Sequence, residues 1–116
     1  MSATIYGIKT CDTMKKAFRW LESEGVAYRF HDYRVEGIDR ASVERWCAAA
    51  GWEKVLNKGS TTFRALPDAS KIDLDESSAI DLMLAEPTMI KRPVLETGGR
   101  IEVGFKPERY AALFKG

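Results

Sequence analysis

The opening third of the chain sets the strongest constraint on its fold. Thr4-Ile5-Tyr6-Gly7 reads as a short strand, followed after a loop by a helix expected from about Asp12 to Glu24. In that helix Met14, Ala17, Phe18 and Leu21 fall at i, i+3, i+4 and i+7, a single apolar face at helical period. Gly25 is placed to stop it. Val26, Tyr28 and Phe30 then alternate with Ala27, Arg29 and His31, the pattern of a second strand. A strand, a crossover helix and a strand of these lengths predict a parallel pair joined by a right-handed crossover.

The rest of the chain extends this unit. Asp39 can cap a helix running to about Ala50, with Val43, Trp46, Cys47 and Ala50 on one face and Gly51 ending it. Residues 52–66 are mixed, with partial helix expected. Asp75-Glu76-Ser77-Ser78 opens a helix to about Ala85, which Pro87 prevents from continuing. Two strand-like runs, Val94–Thr97 and Arg100–Gly104, flank Gly98-Gly99, a strong hairpin signal. Pro107 starts a last helix to about Lys115. The order β-α-β-α, further helices, then β-β-α predicts an α/β protein with a thioredoxin-like fold. It has a mixed four-stranded sheet and a helical insertion at about 52–87, all within a single domain of 116 residues. Asp68 to Glu86 carries six acids against the single base Lys71, the expected surface of that insertion.

Composition excludes several classes of function. Lys and Arg total 18 against 17 Asp and Glu, a net charge of +1. Nucleic-acid binding usually shows as a basic excess, and none is present. No apolar run approaches the ~18 residues that span a bilayer, and Met1–Tyr6 lacks the basic and apolar regions of a signal peptide. The expectation is a cytoplasmic monomer with no nucleic-acid or membrane partner. Cys11 and Cys47 are too few for a disulfide framework, and they stand 36 residues apart. With one histidine, His31, no metal cluster or Cys-His-Asn triad is expected.

A thiol is therefore the obvious nucleophile. Cys11 lies between the first strand and the first helix, facing free backbone N–H groups and the positive end of the helix dipole. Both favour the thiolate, the reactive form. Lys9, Lys15 and Lys16 are near in sequence, and Thr10 and Thr13 offer hydroxyls to the sulfur. The competing reading, a small buried apolar residue at a strand end, is weaker. Cys47, on the apolar face of the second long helix, reads as inert. His31 reads as a partly exposed strand residue, and Trp20, Trp46 and Trp52 as packing. From spacing alone, Arg92 reads equally as a guanidinium for an anionic adduct or carboxylate and as an ordinary surface arginine.

Taken together, Thr4-Ile5-Tyr6, Cys11, Lys15-Lys16-Ala17 and Asp32-Tyr33 resemble the arsenate reductase family of the ArsC type. The resemblance continues through residues 56–64, which end in Phe63-Arg64, through Ile90-Lys91-Arg92-Pro93-Val94, and through Val103–Glu108. It spans essentially the whole chain in order. The family includes glutaredoxin-coupled arsenate reductases and Spx transcription regulators. It also holds the YffB branch of small proteins, proposed to be glutathione-dependent thiol reductases, which this chain resembles most. The resemblance implies Cys11 as nucleophile and Arg92 before a cis Pro93 as the catalytic arginine. Arg64 and Pro93 lie in the matched segments, and with Lys9, Thr10, Thr13 and Lys15 near Cys11 in sequence they are the expected substrate- or glutathione-binding residues. The resemblance implies no bound cofactor, and glutathione as co-substrate. Two further arginines of the arsenate reductases fall at Asn57 and Lys106, and an upstream histidine at Gly7. The Spx regulators carry a Cys-x-x-Cys switch, whose second position here is Met14. The main expectation is a glutathione-dependent monothiol reductase. The alternatives are a regulator of Spx type that docks on RNA polymerase without turnover, and an arsenate reductase.

Overall fold

The computed structural model describes residues 3–9 and 11–115. They form two compact units, one of the described residues up to Gly37 together with those from Arg92 onward, the other of residues 38–91.

The first unit contains a four-stranded sheet in the order β2-β1-β3-β4. β1 (Ala3–Gly7) and β2 (Tyr28–Asp32) are parallel and joined by α1 (Asp12–Ser23). β3 (Val94–Thr97) runs antiparallel to β1 and pairs with β4 (Arg100–Val103) through the Gly98-Gly99 turn. Both turn glycines have positive φ, 54° and 79°, as a tight two-residue hairpin requires. This is the thioredoxin-like arrangement expected from the sequence.

α1 forms because its apolar residues share one face. Met14, Ala17 and Leu21 are fully buried and pack with Ala3, Ile5, Leu95 and Tyr110. Full burial of a side chain such as Leu21 contributes about 1.5–3 kcal/mol. Tyr110 comes from α7 (Pro107–Lys115), and the rings of Trp20 and Phe105 meet it edge-on at 5.6 and 4.8 Å. Glu102 is almost buried in this unit, and the Arg109 guanidinium pairs with it at 3.1 Å.

Two details depart from the sequence pattern. β2 starts at Tyr28 rather than Val26. Directly after it a four-residue helix, α2 (Tyr33–Glu36), turns the chain. It is started by the Asp32 carboxylate, which accepts a hydrogen bond from the Arg34 N–H at 2.9 Å.

The second unit is helical: α3 (Arg40–Ala50), α4 (Trp52–Val55), α5 (Thr61–Arg64) and α6 (Glu76–Ala85), with single 3₁₀ turns at Asp68–Lys71 and Pro87–Met89. Asp39 caps α3 through the Ser42 N–H at 2.8 Å, and Asp75 and Ser78 cap α6 reciprocally. α3 packs against α6, and Arg40 pairs with Asp81 between them. The end of the unit is tied to its middle by an isolated bridge between Leu56 and Ile90, with the Lys91 N–H donating to the Val55 carbonyl at 2.8 Å. Among the described residues no helix is long and apolar enough to cross a membrane.

Candidate thiol site at the carboxyl edge of the parallel strands

Strand register brings three separate chain segments to one edge of the sheet. Gly7, the last residue of β1, pairs with Asp32, the last of β2. Tyr6 pairs with Val94, the first of β3. Ile8, Lys9 and Cys11 after β1, Tyr33 after β2 and Arg92-Pro93 before β3 therefore all lie beyond the carboxyl ends of the parallel pair. That is where open α/β sheets place their ligand sites.

Cys11 is the N-cap residue of α1. Its backbone is extended (φ −80°, ψ 132°), and its carbonyl accepts the first helical hydrogen bond from the Lys15 N–H at 3.1 Å. The side chain is partly exposed and packs against the core under α1. Burial is the largest influence on its thiol and pushes the pKa up. The Met14 and Thr13 N–H groups, the Arg92 charge and an Arg92 hydrogen bond all act the other way, and together they win. The net result is a thiol pKa below its ordinary value, from the causes that usually activate cysteines: helix N-terminal amides and a neighbouring cation.

Arg92 stands beside this sulfur, half-buried, ahead of a buried Pro93 joined to it by a cis peptide bond. Thr13 contributes through its backbone N–H. Lys9, Lys15 and Lys16 are exposed, and the cation that acts on the thiol is Arg92. Arg64 is exposed on α5 in the helical unit. Thr10 lies outside the described residues.

The other positions weighed in the sequence have different surroundings. Met14, three residues after Cys11, is fully buried, so no second thiol stands there. Gly7 has no room for a side chain, because a Cβ on it would fall 2.4 Å from the Met14 sulfur. Asn57 accepts a hydrogen bond from the Gly59 N–H at 3.1 Å, a local turn contact. Lys106 is exposed, and its carbonyl begins α7. The His31 ring meets that of Tyr6 at a tilt, with centroids 4.9 Å apart, and contacts the Gly37 carbonyl through Nε2 at 2.7 Å. Cys47 is 3% exposed, and burial, followed by the Glu76 charge, pushes its thiol up to about 11. The two cysteines are chemically opposite. Among the described residues, no group of three or more His, Cys, Asp or Glu side chains could hold a metal ion.

Sequence reasoning counted Tyr33 within the family resemblance and gave it no role at the site. Its ring is buried, and its hydroxyl makes no hydrogen bond among the described residues. The Arg92 charge acts on that hydroxyl as it acts on the Cys11 sulfur. No local pattern signals such a role. The one available hint was its place immediately after the second parallel strand.

The ArsC family matches residues 6–113. A YffB protein of known structure is 64% identical, with a TM-score of 0.93 over 95% of this chain and 96% of that one. An arsenate reductase (ArsC) related protein from Brucella melitensis is 54% identical. Its TM-score is 0.78, and the match covers 100% of this chain and 97% of that one. An uncharacterized protein from Haemophilus influenzae is 40% identical over 111 residues, 96% of this chain and 97% of its own length.

Proposed function

This chain belongs to the ArsC family, and on that premise we propose that it is a glutathione-dependent monothiol reductase with Cys11 as its nucleophile. The observation that carries this reading is the convergence of the Met14 and Thr13 N–H groups and the Arg92 guanidinium on one partly exposed sulfur. These groups favour the thiolate, the form that attacks disulfide sulfur.

The chemistry balances as two exchanges. The Cys11 thiolate attacks one sulfur of a disulfide, forms a mixed disulfide with it and releases the other sulfur as thiolate. Glutathione thiolate then attacks the non-protein sulfur of that mixed disulfide. This forms a glutathione disulfide with the bound group and returns Cys11 as thiolate. Arg92 neutralises the sulfur anion before and after each exchange. An external thiol suits the site, because the place three residues on is taken by the buried Met14 and the other cysteine, Cys47, is held protonated by burial. The same Met14 counts against a redox-switched regulator, and Asn57 and Lys106 count against a three-arginine arsenate site.

The test is reduction of a peptide–glutathione mixed disulfide by glutathione, with and without Cys11→Ser. The variant is expected to fold and to lose turnover. Turnover retained in it would remove the proposal. Polymerase subunits captured equally by both forms, with no turnover in either, would favour the regulator.

A further inference from the structure

The most informative group that this reaction leaves unused is the Tyr33 hydroxyl. Tyr33 is 4% exposed and its oxygen has no hydrogen-bond partner among the described residues. A buried hydroxyl without a partner costs about 1–3 kcal/mol. Most buried polar groups in native structures have a partner, so an exception calls for an explanation.

Its position suggests the use. Tyr33 follows Asp32, the end of β2, and Asp32 is in register with Gly7 at the end of β1. Cys11 follows Gly7 by four residues, and Arg92 precedes the β3 residue paired with Tyr6 by two. Burial, above all, raises the Tyr33 pKa well beyond the ordinary tyrosine value, with Arg92 opposing and Tyr6 adding. The phenol therefore stays protonated in neutral solution and offers a donor. Arg92, whose charge acts on that hydroxyl, also only donates. The Cys11 sulfur takes an Arg92 hydrogen bond, whereas the Tyr33 donor at the same edge is left without an acceptor among the described residues.

We propose that Tyr33 is a ligand-binding residue, whose hydroxyl completes with Arg92 a site for an anionic oxygen held beside the Cys11 sulfur. The anion is either the carboxylate of a glutathione-like peptide or a tetrahedral oxyanion. This deepens the function proposed above and rests on it for the choice of ligand. Tyr110 provides the internal contrast. Its hydroxyl is also buried and unpartnered, but it lies in the aromatic core of Trp20, Phe105 and Phe114, where the charge acting on it is the Glu102 carboxylate.

The experiment measures binding by calorimetry on the full chain, with two unreactive probes, inorganic sulfate and S-methylglutathione. The proteins are wild type, Tyr33→Phe and Tyr110→Phe. At least one probe should bind the wild type. Tyr33→Phe should weaken that probe by about tenfold to a hundredfold, the scale of a hydrogen bond to a charged group. The free Tyr33→Phe protein should melt no lower than the wild type, because an unsatisfied hydroxyl has been removed. A residue that only supported the fold would not separate binding from stability in this way. Tyr110→Phe should bind as the wild type does. Sulfate alone binding assigns the site to a tetrahedral oxyanion, and S-methylglutathione alone to a peptide carboxylate. No binding of either probe to the wild type, or equal binding by Tyr33→Phe, overturns the proposal. The readout is independent of Cys11 chemistry. Tyr33-dependent binding with an ordinary, unactivated Cys11 would sink the reductase reading and leave this one standing.

Discussion

The Met14 thioether fills the space that any side chain at position 7 would need. A Cβ built on Gly7 would lie 2.4 Å from Met14 Sδ and 2.7 Å from its Cε, and Met14 is fully buried. The same Met14 presents its N–H to the Cys11 sulfur. A larger residue at 7 would push on the residue that helps to hold the thiolate. Gly7→Ala should destabilise the protein by about 1–3 kcal/mol, the usual cost of overpacking. Met14→Ala alone should cost about 2–5 kcal/mol. The double variant should lose less than the sum, by about 0.5–3 kcal/mol. Denaturant unfolding of the four proteins measures this coupling, and strict additivity would contradict it.

Arg92 should set the pH range in which Cys11 reacts. The rate of Cys11 alkylation by iodoacetamide should follow a midpoint below the ~8.5 of a free thiol. Arg92→Ala should move that midpoint upward, because the opposing burial remains.

The same shift links stability to pH. The folded state holds Cys11 as thiolate at pH values where the unfolded chain still binds the proton. Stability from this group is thus present above the unfolded thiol pKa and is lost as pH falls through the lowered folded one. Cys11→Ser should remove that part of the pH dependence. A wild-type stability profile identical to that of Cys11→Ser would count against an activated thiol.

Cys47 should behave oppositely. With its thiol pushed up to about 11 by burial, it should resist alkylation in the folded protein at pH 9, and react once the chain is unfolded in denaturant. Modification of folded protein at Cys47 as fast as at Cys11 would contradict the burial seen for this residue.

Asp39→Ala should cost about 0.5–2 kcal/mol, the loss of an N-cap acceptor, because its carboxylate takes the Ser42 N–H at the start of α3. Asp39→Asn should recover most of that stability. The readout is the denaturant midpoint, and an equal loss in both variants would show that the cap is not what Asp39 supplies.

Much of the fold was legible because its signals are local. The i, i+3, i+4, i+7 face of α1, the Asp39 and Asp75 caps, and the Gly98-Gly99 turn each declare an element within a few residues. α2 was missed because four residues carry no period; only the Asp32 side chain reveals it. The site divides in the same way. Cys11 at a helix start can be read locally, since amides and dipole come with the helix. That Arg92, 81 positions later, reaches the same sulfur depends on β3 pairing with β1, which no local pattern contains; the family resemblance supplied it. A role for Tyr33 was invisible for a further reason. Its significance is an unmet hydrogen bond, a property of three-dimensional packing alone.

The central claim is that Cys11 is a thiolate poised for exchange with glutathione. Mass spectrometry after incubation with oxidised glutathione across pH 5 to 9 tests it most directly. The account predicts a single glutathione adduct on Cys11, formed with a midpoint below the free-thiol value of ~8.5, and no adduct on Cys47 while the protein is folded. An unmodified Cys11, or an adduct found only on Cys47 after unfolding, would contradict it.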